Sequence, residues 1–180
     1  THDYDENSTI VSKNSIYDIA SITKVLSITP IMMKLIEQRK ISLDQPAYYF
    51  IPNFRGKLKD EVTIRHLLTH SSGIKSYHRF FLEDHFMGRT DVINAIINMD
   101  LEFKPGSKFS YSDLGMMLLM EIAEKVSLKS IQKMASSWIF KPLQMSSTMY
   151  NPDSSLLSMI VPTEIDELYR RKLIHGVVHD

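Results

Sequence analysis

From Ser21 to about Arg39, apolar residues recur at Ile22, Val25, Leu26, Ile28, Ile31, Met32, Met33, Leu35 and Ile36. They cover most of a helix's circumference, and a helix apolar nearly all round belongs in the middle of a domain. Pro30 falls inside this pattern and predicts a kink or local break, because its ring removes a backbone donor. Arg39 and Lys40 suit the negative end of the helix dipole. Residues 41–61 hold Pro46, Pro52 and Gly56 and read as a long irregular connection. Thr63 is placed to cap a short helix ending near His70, with Ser71-Ser72-Gly73 as its stop. Residues 75–89 fit neither period. Thr90 is expected to cap a helix carrying Val92, Ile93, Ala95, Ile96 and Ile97. After a Pro105-Gly106 turn, helices are expected from about Ser112 to Val126 and from about Ser130 to Trp138. Upstream, residues 1–15 are polar and read as loop, and Ile16 to Ile19 as a short extended lead-in. From Pro142 onward the pattern breaks into turns, with Val177-Val178 placed to begin a strand. Helical segments are plain and strands scarce.

Composition narrows the picture modestly. The chain has 180 residues, 43% of them apolar and 23% charged, ordinary for one globular domain or most of one. The 21 basic and 21 acidic residues cancel, which gives no sign of a nucleic-acid or anionic-membrane partner. No cysteine is present, so neither disulfides nor thiolate metal sites enter. No apolar run approaches the length of a membrane span.

Three Ser-x-x-Lys spacings occur: Ser21/Lys24, Ser72/Lys75 and Ser130/Lys133. Ser72 lies in a Ser-Gly turn, and Ser130/Lys133 on the polar face of an amphipathic helix. Only Ser21 stands where an extended segment becomes an apolar helix. There its hydroxyl would meet free backbone N–H groups able to stabilise a developing anion. Lys24, one turn on, projects from the same face. Spacing alone favours a Ser cap with an exposed Lys. Against that, a solvated Lys fits poorly on so apolar a helix, and a buried Lys tends to lose its proton. Tyr111 follows the Pro-Gly turn. It reads either as a boundary tyrosine with a wet hydroxyl or as a base whose phenolate a cation such as Lys24 would favour. His66-x-x-x-His70 and His175-x-x-x-His179 have the spacing of zinc ligands. However, Leu67 replaces the metalloprotease Glu, no third ligand is evident, and Gly176 with two valines disfavours a helix at the second pair. No metal site is expected.

Taken together these stretches resemble the serine β-lactamase and penicillin-binding-protein superfamily, whose Ser-x-x-Lys motif is a known signature. The likeness is to its class C β-lactamase-like branch, which includes D-amino-acid peptidases and esterases. Residues 16–24 look like the nucleophile segment, and residues 62–74 resemble the family's most recognisable structural stretch. Pro105-Gly106 through Gly115 looks like the second motif, and Pro142-Leu143-Gln144-Met145 with Thr148 resembles a further landmark. The resemblance implies an α+β fold of which this chain, residues 1–180, is a single partial domain. It would hold the helical region of a β-lactamase/transpeptidase-like fold with much of the antiparallel sheet missing. It further implies that Ser21 attacks a carbonyl to form an acyl-enzyme. Lys24 and Tyr111 would share the proton, and the Ser21 N–H would be half of an oxyanion hole. No metal or organic cofactor is implied. The implied partner is a small-molecule or peptide-like carbonyl substrate, and the implied location is the periplasm or outside the cell. A further domain in a full-length protein stays open. His70 falls in a landmark read as structural.

Two departures stand out. The second motif usually ends in Asn, and here it ends in Asp113. A carboxylate there would touch substrate, hold Lys24 protonated and repel anions, favouring esters or neutral amides. The third motif, a Lys/His-x-Gly strand, is absent, although residues 177–180 look like the stretch that precedes it. Losing one oxyanion donor typically costs about 10²–10³ in rate, so the segment alone is expected to be a poor catalyst. The alternative reading is a catalytically incompetent domain or fragment with a binding or structural role.

Overall fold

The computed structural model describes residues 1–2, 7–86 and 88–178. The apolar segment begins as a π-helical turn, Lys24–Ile28, that runs into α1, Thr29–Glu37. The Thr29 N–H reaches back to the Lys24 carbonyl, so the wider turn ends just where Pro30 has no N–H to offer. The break expected at Pro30 is therefore a change of helical winding, a recognised way for a chain to absorb a proline.

The helix α2, Ile64–Leu68, opens with a capping box. The Thr63 hydroxyl accepts the His66 N–H, and His66 Nδ1 accepts the Thr63 N–H at 3.3 Å each. Helix α3, Arg89–Asn98, begins two residues earlier than a Thr90 cap implies. Its cap position is Gly88, without a side-chain bond, so Thr90 is not the cap but a first-turn residue. Helix α4, Asp113–Ser127, is capped by Ser112, whose hydroxyl accepts the Gly115 N–H at 3.0 Å. Helix α5, Ile131–Ala135, is capped by Ser130 and continues as a second π-helical turn to Phe140.

One core unites these pieces. Ile31, Met32 and Leu35 of α1, Leu67 of α2, Leu114, Leu118, Leu119 and Ile122 of α4, and Met134 of α5 are all completely buried. The 41–61 connection is less irregular than its prolines imply. It forms two short 3₁₀ turns and sends Ala47, Ile51 and Phe54 into the same core.

Two expectations are corrected. The Ser21–Arg39 helix is not covered all round: Ile22, Val25 and Met33 are 53%, 63% and 64% exposed, because no element among the described residues lies over that side. Val177 and Val178 form no strand. Among the described residues the strands are β1, Glu164–Asp166, and β2, Lys172–Ile174, paired antiparallel with Ile165 opposite Leu173. Three-residue strands lack the length for a visible alternation, and their turn is held by Asp166, which accepts N–H bonds from Leu168, Tyr169 and Arg170. His179 and Asp180 lie outside the described residues. A helical core together with a two-stranded sheet among the described residues is consistent with part of an α+β fold.

Candidate active site

The lead-in to Ser21 is anchored far along the chain. The Ile16 N–H bonds to Met159 O and the Val161 N–H to Ile16 O, both at 2.8 Å, forming a parallel bridge. Asp18 then turns the chain by accepting the Ala20 N–H at 2.8 Å. Ala20 itself has φ of +43°, a left-handed conformation unusual for a residue with a Cβ. This turn starts the helix abruptly and leaves Ser21 exposed at its beginning. The next three amides are already engaged: Ile22 with Ile19 O, Thr23 with Ala20 O and Lys24 with Ser21 O. The cluster of free amides expected around Ser21 is therefore reduced to that of Ser21 itself, which sits between occupied neighbours.

Lys24 brings the site together. Its Nζ donates to Ser21 Oγ at 2.9 Å, lies 2.7 Å from Asp113 Oδ1, and stands 5.3 Å from the centre of the Tyr111 ring. The Lys24 and Asp113 side chains are only 15% and 25% exposed. Asp113 Oδ1 is buried and meets no donor other than the ammonium facing it. Burial works against the Lys24 charge. The hydrogen bonds and charges of Asp113 and Tyr111 outweigh it, so the amine holds its proton above the ordinary value of 10.5. The expectation that an apolar helix would strip Lys24 of its proton is thus reversed, and Asp113 is the largest of the groups responsible.

The Tyr111–Asp113 segment is laced to the loop that follows α2. The Ser110 N–H reaches His70 O at 2.8 Å, the Ser112 N–H reaches His70 Nδ1 at 3.1 Å, and the Ser112 hydroxyl reaches Lys75 O at 2.8 Å. Ser76 grips both ends of the motif: its hydroxyl donates to Tyr111 O at 2.6 Å, and its carbonyl accepts the Asp113 N–H at 2.9 Å. The imidazole of His70 also lies against the Tyr111 ring, with centroids 4.5 Å apart and planes at 31°. Neither His70 nor Ser76 stood out as a site residue from the sequence. Ser76 lies in a stretch without periodicity, and the only signal for His70 was its place in a landmark.

Gly73 makes this loop possible. Its φ is +82°, its carbonyl accepts the Glu102 N–H at 2.8 Å, and a Cβ there would stand 2.2 Å from Phe103 O. The histidines do not work as a pair, since His66 Nδ1 serves the α2 cap and His70 Nδ1 serves Ser112. Of the other Ser-x-x-Lys spacings, the Ser72 hydroxyl accepts the Ile74 N–H and the Ser130 hydroxyl caps α5. Both are structural uses.

A family model described as beta-lactamase matches residues 4–157. The chain belongs to the β-lactamase family. Among curated relatives, it is 28% identical to an N-acetylmuramyl-L-alanine amidase of Bacillus subtilis (strain 168), over 77% of this chain and 34% of that protein. It is 27% identical to a protein of Salmonella agona (strain SL483) named for D-alanyl-D-alanine carboxypeptidase activity, over 94% of this chain and 41% of that one. Among solved structures, the beta-lactamase/D-alanine carboxypeptidase of Yersinia pestis complexed with citrate superposes with a TM-score of 0.71 at 22% identity, covering 87% of this chain and 46% of that one. The β-lactamase-like fold expected from the motifs is thereby established. The chain spans less than half the length of each of these three proteins.

Proposed function

We propose that Ser21, Lys24 and Tyr111 are the reacting groups of a serine hydrolase that works through an acyl-enzyme on an ester, amide or β-lactam carbonyl. The observation that carries this reading is the position of Lys24 Nζ, within hydrogen-bonding distance of Ser21 Oγ and beside both Tyr111 and Asp113. Ser21 Oγ would bond to the carbonyl carbon while its proton passes to the neutral form of Lys24. Tyr111 would relay that proton to the leaving group as the tetrahedral intermediate collapses. The Ser21 N–H would supply one donor to the developing oxyanion. Water would then release the acid and restore Ser21.

The relatives' names point to peptide-like carbonyls, and Asp113 adds a constraint. A carboxylate beside the nucleophile disfavours substrates that are anionic near the scissile bond, so esters and neutral amides rank above peptide C-termini. Action in the periplasm or outside the cell fits relatives of this kind, and no helix among the described residues is long and apolar enough to cross a membrane. The test is a substrate panel with an activated ester, a neutral D-amino-acid amide, a chromogenic cephalosporin and a D-alanyl-D-alanine peptide. Ester or amide turnover exceeding that of the free-carboxylate peptide supports the reading, and the opposite order refutes the role given to Asp113.

A second reading is supported by the apolar strip Ile22, Val25 and Met33 beside the nucleophile turn. On it, residues 1–180 form a partial domain that lacks a wall of the site, and the segment by itself binds or supports rather than catalyses. Full activity of the segment alone would eliminate this reading.

A further inference from the structure

We propose that neutral His70 is a positioning residue for Tyr111, and that taking up a proton releases Tyr111 and turns the site down in acid. This builds on the hydrolase reading above, in which Tyr111 handles the proton.

The geometry requires a particular form of the ring. The Ser112 N–H points at His70 Nδ1 from 3.1 Å, so Nδ1 must carry a lone pair and the ring proton sits on Nε2. Ser112 is buried. A proton on Nδ1 would set donor against donor and strand a buried amide, which is costlier than losing an exposed bond. That amide is the peptide link between Tyr111 and Ser112, and Tyr111 also rests its ring on the imidazole. One protonation therefore disturbs both contacts that fix Tyr111 on this side.

The groups facing His70 favour the neutral ring. Burial and the Lys24 charge lower its affinity for a proton, Asp113 opposes them, and the balance falls below the ordinary histidine value of 6.5. The Ser112 N–H, which needs the Nδ1 lone pair, works in the same direction as burial. Tyr111 and Phe109 supply only ring surfaces. His70 has φ of +52°, a conformation that His, Asn and Asp tolerate better than most residues. Asn is thus the conservative replacement: it offers an acceptor that does not titrate, and no ring.

The experiment uses the intact protein and two variants, His70→Asn and His70→Phe. Fluorophosphonate labelling of Ser21 is timed from about pH 4 to about pH 8, with thermal melting to confirm folding. Wild type is expected to show an extra fall in labelling rate as His70 protonates. His70→Asn should label somewhat more slowly at neutral pH but lack that extra fall. His70→Phe, with a ring but no acceptor, should be at least about tenfold slower throughout. Independently, ¹⁵N NMR should show His70 as the Nε2–H tautomer, with the Ser112 amide shift following its titration. An unchanged acid limb in His70→Asn, or a Ser112 amide indifferent to the His70 titration, would overturn the proposal. Absence of labelling in wild type at every pH would instead refute the hydrolase reading, and the NMR result would still decide the role of His70.

Discussion

Lys24 Nζ and Asp113 Oδ1 are 2.7 Å apart, in an ion pair largely shielded from water. The pair joins the first turn of the nucleophile helix to the first residue of α4, and it sets the resting protonation of the site. A lysine that donates to Ser21 while paired with a carboxylate is an ammonium. It becomes a base only in the fraction of molecules that have lost the proton.

Asp113→Asn removes one of the groups that raise the Lys24 pKa. The neutral amine is then reached at lower pH, and the rising limb of labelling or ester hydrolysis moves in the acid direction. General-base catalysis contributes about 10²–10⁴ in rate, so the gain at neutral pH is expected to be readily measured. Superimposable pH profiles for the two proteins would remove Asp113 from the account.

The same pair affects stability, with a definite sign. The Lys24 pKa is higher folded than unfolded, so its contribution is complete below the ordinary value of 10.5 and is lost as pH rises through the higher folded value. Melting temperatures of wild type and Asp113→Asn should therefore differ at neutral pH and converge in strong alkali. A difference that stays constant across that range would assign the stability effect to something other than this pair.

Gly73→Ala tests the loop that carries His70 and Ser76. A Cβ at φ of +82° and 2.2 Å from Phe103 O cannot be accommodated without backbone movement. Destabilisation above about 1 kcal/mol is expected by chemical denaturation, together with slower Ser21 labelling in the molecules that still fold. Wild-type stability and rate would mean that the loop adapts freely.

Burial divides the nucleophile helix into two sides with different tolerances. Leu35 is completely buried, and truncation to Ala should cost about 2–5 kcal/mol. Val25 is 63% exposed, and Val25→Lys in this segment should stay within about 0.5 kcal/mol. Urea melts of the two variants decide the point, and equal costs would contradict the fold described here.

Much of this was legible from short local signals. Thr63 caps the helix it was expected to cap, and the helices expected from about Ser112 and Ser130 begin just after those residues, because a hydroxyl before an apolar period has a local cause. Ser21, Lys24, Tyr111 and Asp113 were singled out, and the fold brings them together. Other features depended on contacts remote in sequence. The effect of Asp113 on the Lys24 proton was expected from the sequence, but that it outweighs burial on the apolar helix depends on contact between two helices. The roles of His70 and Ser76 exist only because residues 70–76 lie against residues 110–113. Gly88 replaced Thr90 as the start of α3, and β1 and β2 are too short to show a period. The exposed strip at Ile22, Val25 and Met33 was masked for a related reason, since an apolar pattern does not tell which side finds a partner.

The central claim is that Ser21 is an activated nucleophile. Its most direct test is intact-mass analysis after exposure to a fluorophosphonate, comparing wild type with Ser21→Ala, both shown to be folded. The account predicts a single stoichiometric adduct on the wild type and none on Ser21→Ala. An adduct of equal yield on both proteins, or none on folded wild-type protein containing the complete site, would contradict it.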